Sequence, residues 1–214
     1  MTRLSTLLFL LLLGLRSVFA ADTVLVFGDS LSAGYGIAVN QSWPALLAER
    51  LQREKLPYSV INASISGETT AGGRTRLPAV LERHQPAVVI LALGANDGLR
   101  GLPLAESRAN LTQMVRMAKA TGARILLVGM RLPPNYGPGY TRDFAALFGT
   151  VAKQEKTALL PFLLEPIALD DAAYQADRLH PTAAAQPKIL DHVWTGLKPL
   201  LTNGAPGRPH VNPR

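Results

Sequence analysis

The chain has 214 residues, 48% hydrophobic and 17% charged, a balance that supports a packed core and argues against disorder. It contains no cysteine, which excludes a disulfide framework, a thiolate zinc site and a cysteine-linked lipid anchor. The formal charge of +7 is scattered, without a Lys/Arg run or an aromatic–basic stripe, so no nucleic-acid partner is expected.

The first twenty residues have the pattern of a secretory signal. Arg3 supplies positive charge, residues 7–15 form an apolar stretch, and Val18-Phe19-Ala20 puts small residues at the −3 and −1 places of a cleavage site. The apolar run is short for a membrane span, and Arg16 interrupts it, so no stable membrane anchor is expected. Cleavage between Ala20 and Ala21 would remove Arg3 and Arg16 and no acid, taking the charge from +7 to +5. The expected organisation is a signal peptide over 1–20, one folded domain over 21–201 and a Pro-, Gly- and Asn-rich disordered tail over 202–214. Such a chain would be exported to the periplasm or beyond, and is expected to act as a monomer.

Apolar runs of strand length follow at 23–27, 58–63, 87–93, 124–129 and 159–162. They are rich in Val, Ile and Leu without clean alternation, as in strands buried on both faces. Helical patterns lie between them. One spans 43–54 behind Ser42 with Pro44 in its first turn; others span 75–84, 104–120 (stopped by Gly122), 140–156 and 182–201. Alternating strands and helices predict an α/β fold with a mostly parallel sheet and helices on both faces.

Ligand sites in such sheets lie beyond the carboxyl ends of the strands. Three strands end there in polar clusters: Gly28-Asp29-Ser30, the run from Asn62 through Ser66, Gly67 and Glu68, and Gly94-Ala95-Asn96-Asp97-Gly98. A later loop, "DRLHP", adds Asp177 and His180. A serine hydroxyl needs a neighbouring base to become a nucleophile. Histidine suits that role, and needs a partner on its second ring nitrogen to fix its tautomer. Asp177 is placed to curl back on His180. The N–H groups of Ser30 and Gly67 and the amide of Asn96 are candidate donors to an oxyanion, and glycine at 67 leaves room for an acyl group to approach the backbone.

These blocks, "FGDSLSAGYG", "NASISGETTAGG", "LGANDGLRG" and "DRLHP", resemble those of the GDSL, or SGNH, hydrolases in order and spacing, over about residues 22 to 200. The stretches "RLPPNYGPGY" and "AKQEKTALLPF" are similar to the subgroup of periplasmic arylesterases, acyl-CoA thioesterase I and lysophospholipase. The resemblance implies a three-layer flavodoxin-like α/β/α sandwich with a five-stranded sheet in the order 2-1-3-4-5. It implies Ser30 as nucleophile, His180 as base and then acid, Asp177 as orienter, and Ser30, Gly67 and Asn96 as oxyanion hole. It also implies that residues 98–103 and Leu132 and Pro133 border the acyl pocket, and that no cofactor or metal is used. The implied substrates are short- to medium-chain acyl esters and thioesters, including aryl esters and lysophospholipids.

Blander roles compete for several of these residues. Ser30 also fits a helix cap and Asn96 a turn; Asp29, Asp97 and Glu68 fit structural roles. His84 and His192 fit the surfaces of helices, and Trp43 and Trp194 fit helix packing. Tyr136 and Tyr140 fit either a lid or a rigid turn. A metal reading of Asp177 and His180 lacks a third ligand. Gly34-Tyr35-Gly36 lacks the third glycine of a dinucleotide loop, since Val39 occupies that place, and no GxSxG surrounds Ser30. A carbohydrate O-deacetylase of the same superfamily and a non-enzymatic periplasmic binding protein are the alternatives.

Overall fold

The computed structural model describes residues 21–202; the expected signal peptide and tail positions 203–214 lie outside the described residues. Five strands, β1 (Asp22–Gly28), β2 (Tyr58–Asn62), β3 (Val88–Ala92), β4 (Arg124–Val128) and β5 (Ala158–Leu160), pair in parallel in the order β2-β1-β3-β4-β5. Parallel neighbours require crossovers, and helices supply them. These are α1 (Ser30–Ala33), α2 (Trp43–Arg53), α3 (Thr70–His84), α4 (Ala95–Leu99), α5 (Leu104–Ala120), α6 (Pro138–Glu155) and α7 (Gln186–Thr202).

Successive strand residues point to opposite faces, and each face has its own helix layer. Val24, Val26 and Ile90 pack beneath α2 and α7 with Trp43, Leu47 and Val193. Leu25, Phe27 and Leu91 pack on the other face with Leu77, Met114 and Phe148 of α3, α5 and α6. Both faces are therefore covered, which is why β3 is buried at every residue and reads as a continuous apolar run. The fold is the three-layer sandwich with the sheet order that the sequence resemblance implies.

Local differences have physical causes. Helix α3 begins at Thr70, five residues before the apolar pattern does, because Thr69 caps it by accepting the Gly72 N–H. Its first turn carries Gly72 and Gly73, poor helix formers, and Gly73 sits against Leu93 and Phe27 where a larger residue would collide. Helix α7 begins at Gln186 because residues 183–185 form a tighter 3-10 turn, and it runs to Thr202. The single-turn helices α1 and α4 lie in the polar clusters that follow β1 and β3, outside the predicted helices.

The chain leaves β1 to build β2 on one side, then returns to build β3 on the other. The carboxyl ends of β1 and β3 consequently flank the point where the winding direction reverses, where a crevice opens in folds of this type.

Candidate active site

Ser30 stands at that point. Asp29 caps α1, its Oδ1 accepting the Leu31 N–H at 3.0 Å, and this makes Ser30 the first helical residue. Asp29 is 2% exposed, and burial pushes its carboxyl up to about 7 against the opposing pull of the Leu31 N–H.

Asp177 and His180 lie on a tight hairpin closed by the Tyr174–Pro181 bridge and by the Gln175 N–H donating to the His180 carbonyl at 2.8 Å. Asp177 Oδ1 accepts the N–H groups of Leu179 at 2.9 Å and His180 at 3.0 Å, and Oδ2 lies 2.6 Å from His180 Nδ1. The backbone N–H groups of His180 and Leu179, then the imidazole, hold the Asp177 carboxyl down at about 2. The ionised carboxylate can only accept, so Nδ1 carries the ring proton and Nε2 presents a lone pair. Ser30 Oγ sits 2.8 Å from that Nε2. An alcohol, an imidazole and a carboxylate are thus in series, which is the arrangement that activates a serine.

Gly67 and Asn96 come to the same place from β2 and β3. Gly67 has φ +79°, a conformation open to glycine at little steric cost, and Arg100 Nη2 donates to its carbonyl at 3.0 Å. Asn96 Nδ2 donates to the Glu68 carbonyl at 3.0 Å, which ties the two loops and leaves its second amide hydrogen free. Among the described residues the N–H groups of Ser30 and Gly67 donate to no protein acceptor. Ser30, Gly67, Asn96 and His180 line one cavity of about 580 Å³, within the usual range for small-molecule sites.

The remaining wall is mostly apolar. Leu132 and Pro133 line it, as does Leu99 from the 98–103 segment, joined by Met130, Phe162 and Leu164, which the motifs do not signal. Tyr136 donates its hydroxyl to the Leu99 carbonyl at 3.1 Å and Tyr140 to that of Leu102 at 3.2 Å. These two tyrosines brace the wall as a rigid turn would. Behind it, buried Asp97 accepts from the Thr70 N–H at 2.8 Å, the Thr70 hydroxyl and the Ser107 hydroxyl at 3.1 Å. Asp97 therefore welds α3, α4 and α5 together, and Glu68 pairs with Arg76. Trp43 and Trp194 are core residues, and His84 and His192 lie on helices and do not line the cavity. Among the described residues no three of His, Asp and Glu are grouped as metal ligands would be.

Two further residues stand at the site, and the sequence motifs assign neither of them a role there. The Tyr35 ring packs on the His180 imidazole, with centroids 4.5 Å apart. Gln175 Nε2 donates to the carbonyls of Tyr35 at 2.8 Å and Pro181 at 3.0 Å, so it clips the loop after Ser30 to the loop bearing His180. Gly36 packs tightly on Gln175 and has φ +74°, and both favour glycine there, while nothing in sequence spacing links positions 140 residues apart.

A model of the GDSL-like Lipase/Acylhydrolase family matches residues 26–186. Esterase TesA of Pseudomonas aeruginosa is 53% identical over 182 residues, covering 85% of this chain and 90% of that protein. Thioesterase 1/protease 1/lysophospholipase L1 of Escherichia coli is 45% identical over 196 residues, 92% of each chain. Among solved structures, the psychrotrophic esterase EstA from Pseudoalteromonas sp., inhibited by monoethylphosphonate, superposes with a TM-score of 0.81 at 40% identity, covering 85% of this chain and 100% of that one.

Proposed function

The chain belongs to the GDSL-like lipase/acylhydrolase family, and on that premise we propose that it is a serine hydrolase of short- to medium-chain acyl esters, aryl esters and lysophospholipids included, and of acyl thioesters. The observation that carries the reading is the unbroken series from Ser30 Oγ through His180 to Asp177 at 2.8 Å and 2.6 Å, opening on an apolar cavity.

In this reading Ser30 Oγ attacks the acyl carbon while His180 Nε2 takes its proton. Asp177 stays ionised and balances the imidazolium that forms. The carbonyl oxygen becomes an oxyanion facing the N–H groups of Ser30 and Gly67 and the free amide hydrogen of Asn96. Collapse expels the alcohol or thiol, which receives the proton from His180, and leaves an acyl group on Ser30. Water, deprotonated by His180, attacks that acyl group; the acid departs and Ser30 regains its proton. No cofactor enters these steps.

The apolar wall favours an acyl chain over a sugar, since each buried methylene contributes about 0.8 kcal/mol. All catalytic groups come from one chain, as a monomeric enzyme requires. No helix among the described residues is long and apolar enough to cross a membrane. The signal-like pattern of residues 1–20 supports export to the periplasm or medium, where ester and lysophospholipid cleavage is the physiological role to expect.

The test is a series of nitrophenyl esters of increasing acyl length, with an acetylated sugar alongside. Turnover that rises with chain length from acetyl and vanishes in Ser30→Ala is expected. Preferential deacetylation of the sugar, or full activity in Ser30→Ala, would overturn the proposal.

A further inference from the structure

Tyr35 takes no part in the steps above, yet the fold holds its ring on the base. Its backbone is fixed from both sides: its N–H donates to the Ser30 carbonyl at 3.3 Å, and its carbonyl accepts from Gln175 Nε2 at 2.8 Å. Gly34 and Gly36, at φ +80° and +74°, bend the chain before and after it. Tyr35 belongs to neither core cluster and is 53% exposed, so burial alone does not explain an aromatic residue there. Its hydroxyl has no protein partner among the described residues. What the ring does contact is the His180 imidazole, in a tilted stack with centroids 4.5 Å apart.

The imidazole changes charge during the reaction, and this gives the contact a function. Each time Ser30 or water attacks, His180 becomes a cation. Asp177 lies against its Nδ1 and the reacting oxygen against its Nε2, which leaves the ring faces as the remaining surface. The charged residues that line the cavity are Arg131, Asp171 and Arg178, two cations to one anion, so together they do not favour a further positive charge. An aromatic face does, because its quadrupole attracts a cation within about 6 Å of the ring centroid. Tyr35 also lines the cavity, so a seated substrate removes water from the ring and strengthens the attraction. A neutral imidazole gains little from the same face. The stabilisation therefore belongs mainly to the transition state, which is the kind that raises turnover. We propose that the Tyr35 ring stabilises the His180 imidazolium by a cation–π interaction, in acylation and deacylation alike. This rests on the hydrolase reading above and adds to it a residue that acts through the base.

The test keeps the ring and changes its charge distribution. Fluorine draws electron density from an aromatic face, so phenylalanines with one, two and three ring fluorines are placed at position 35. They are compared with Tyr35→Phe and Tyr35→Leu on a nitrophenyl ester and an alkyl thioester of the same acyl chain. Tyr35→Phe keeps kcat/KM within about twofold of the parent, since the face is retained and the hydroxyl has no protein partner. Tyr35→Leu loses about fivefold to thirtyfold, carried by kcat with KM nearly constant. The fluorinated set falls stepwise between those limits on both substrates, with Tm unchanged. A set that stays at the Tyr35→Phe value while Tyr35→Leu falls overturns the proposal and makes Tyr35 a packing support for His180. Parental rates in Tyr35→Leu overturn it too. A loss confined to one substrate, or carried by KM, does the same and makes Tyr35 a substrate contact. Parental turnover that disappears in Ser30→Ala keeps the hydrolase reading standing through each of these outcomes. A parent inactive on both substrates overturns both.

Discussion

Asp177→Asn separates the two tasks that one carboxylate performs. The amide oxygen can take over from Oδ1, which accepts the N–H groups of Leu179 and His180, so the hairpin is kept. The amide nitrogen replaces Oδ2, 2.6 Å from Nδ1, and a nitrogen that donates cannot receive the Nδ1 proton. The ring proton then moves to Nε2, and Ser30 loses its acceptor at 2.8 Å. The charge-assisted hydrogen bond contributes about 1.5–3 kcal/mol. The charge opposite the imidazolium adds about 1–4 kcal/mol, toward the low end because the Asp177 side chain is 38% exposed. Together they set a loss in kcat of about 10²–10⁴. Steady-state kinetics on a nitrophenyl ester would show that loss with KM within about threefold, and thermal unfolding would show a Tm close to the parent's. A variant retaining a tenth of the parental kcat, correctly folded, would refute the role of Asp177 as orienter.

Asn96→Ala removes one proposed oxyanion donor and should lower kcat by about 10²–10³ with an unchanged Tm, read by the same assays; near-parental turnover would exclude Asn96 from the oxyanion hole. Gln175→Ala releases the clip between the loops of Tyr35 and His180 and should cost about tenfold in kcat with KM nearly constant, whereas a change confined to Tm would make Gln175 purely structural. Asp29 sits near 7 when folded against an ordinary value of 3.8, so the folded state holds its proton more tightly. That stabilisation is complete below the unfolded value and is lost as pH rises through about 7. Asp29→Asn keeps the cap, and should flatten the decline of Tm with pH between acid and neutral conditions; a parallel decline in both proteins would contradict burial as the cause.

The parts of this molecule legible in its sequence are those where chemistry demands a residue type at a strand end. Ser30, Gly67, Asn96, Asp177 and His180 each stand in a short block whose spacing survives translation into loops, and the fold gathers them at the sheet edge. The strands were legible because burial on both faces leaves apolar runs such as 88–92. Elements held by tertiary packing were less so. Helix α1 is a single turn whose cap is buried Asp29, and α3 starts on glycines that only its fit against Leu93 and Phe27 makes reasonable. The contact of Tyr35 with His180 and the clip made by Gln175 were not legible because both depend on two distant loops meeting.

Active-site titration with a phosphonate ester, followed by mass mapping of the modified peptide, tests the central claim most directly. The account predicts one phosphonyl group per chain, on Ser30, with labelling slowed severalfold or more in His180→Ala. A group found on another serine, or full ester hydrolysis by protein whose Ser30 is already blocked, would contradict it.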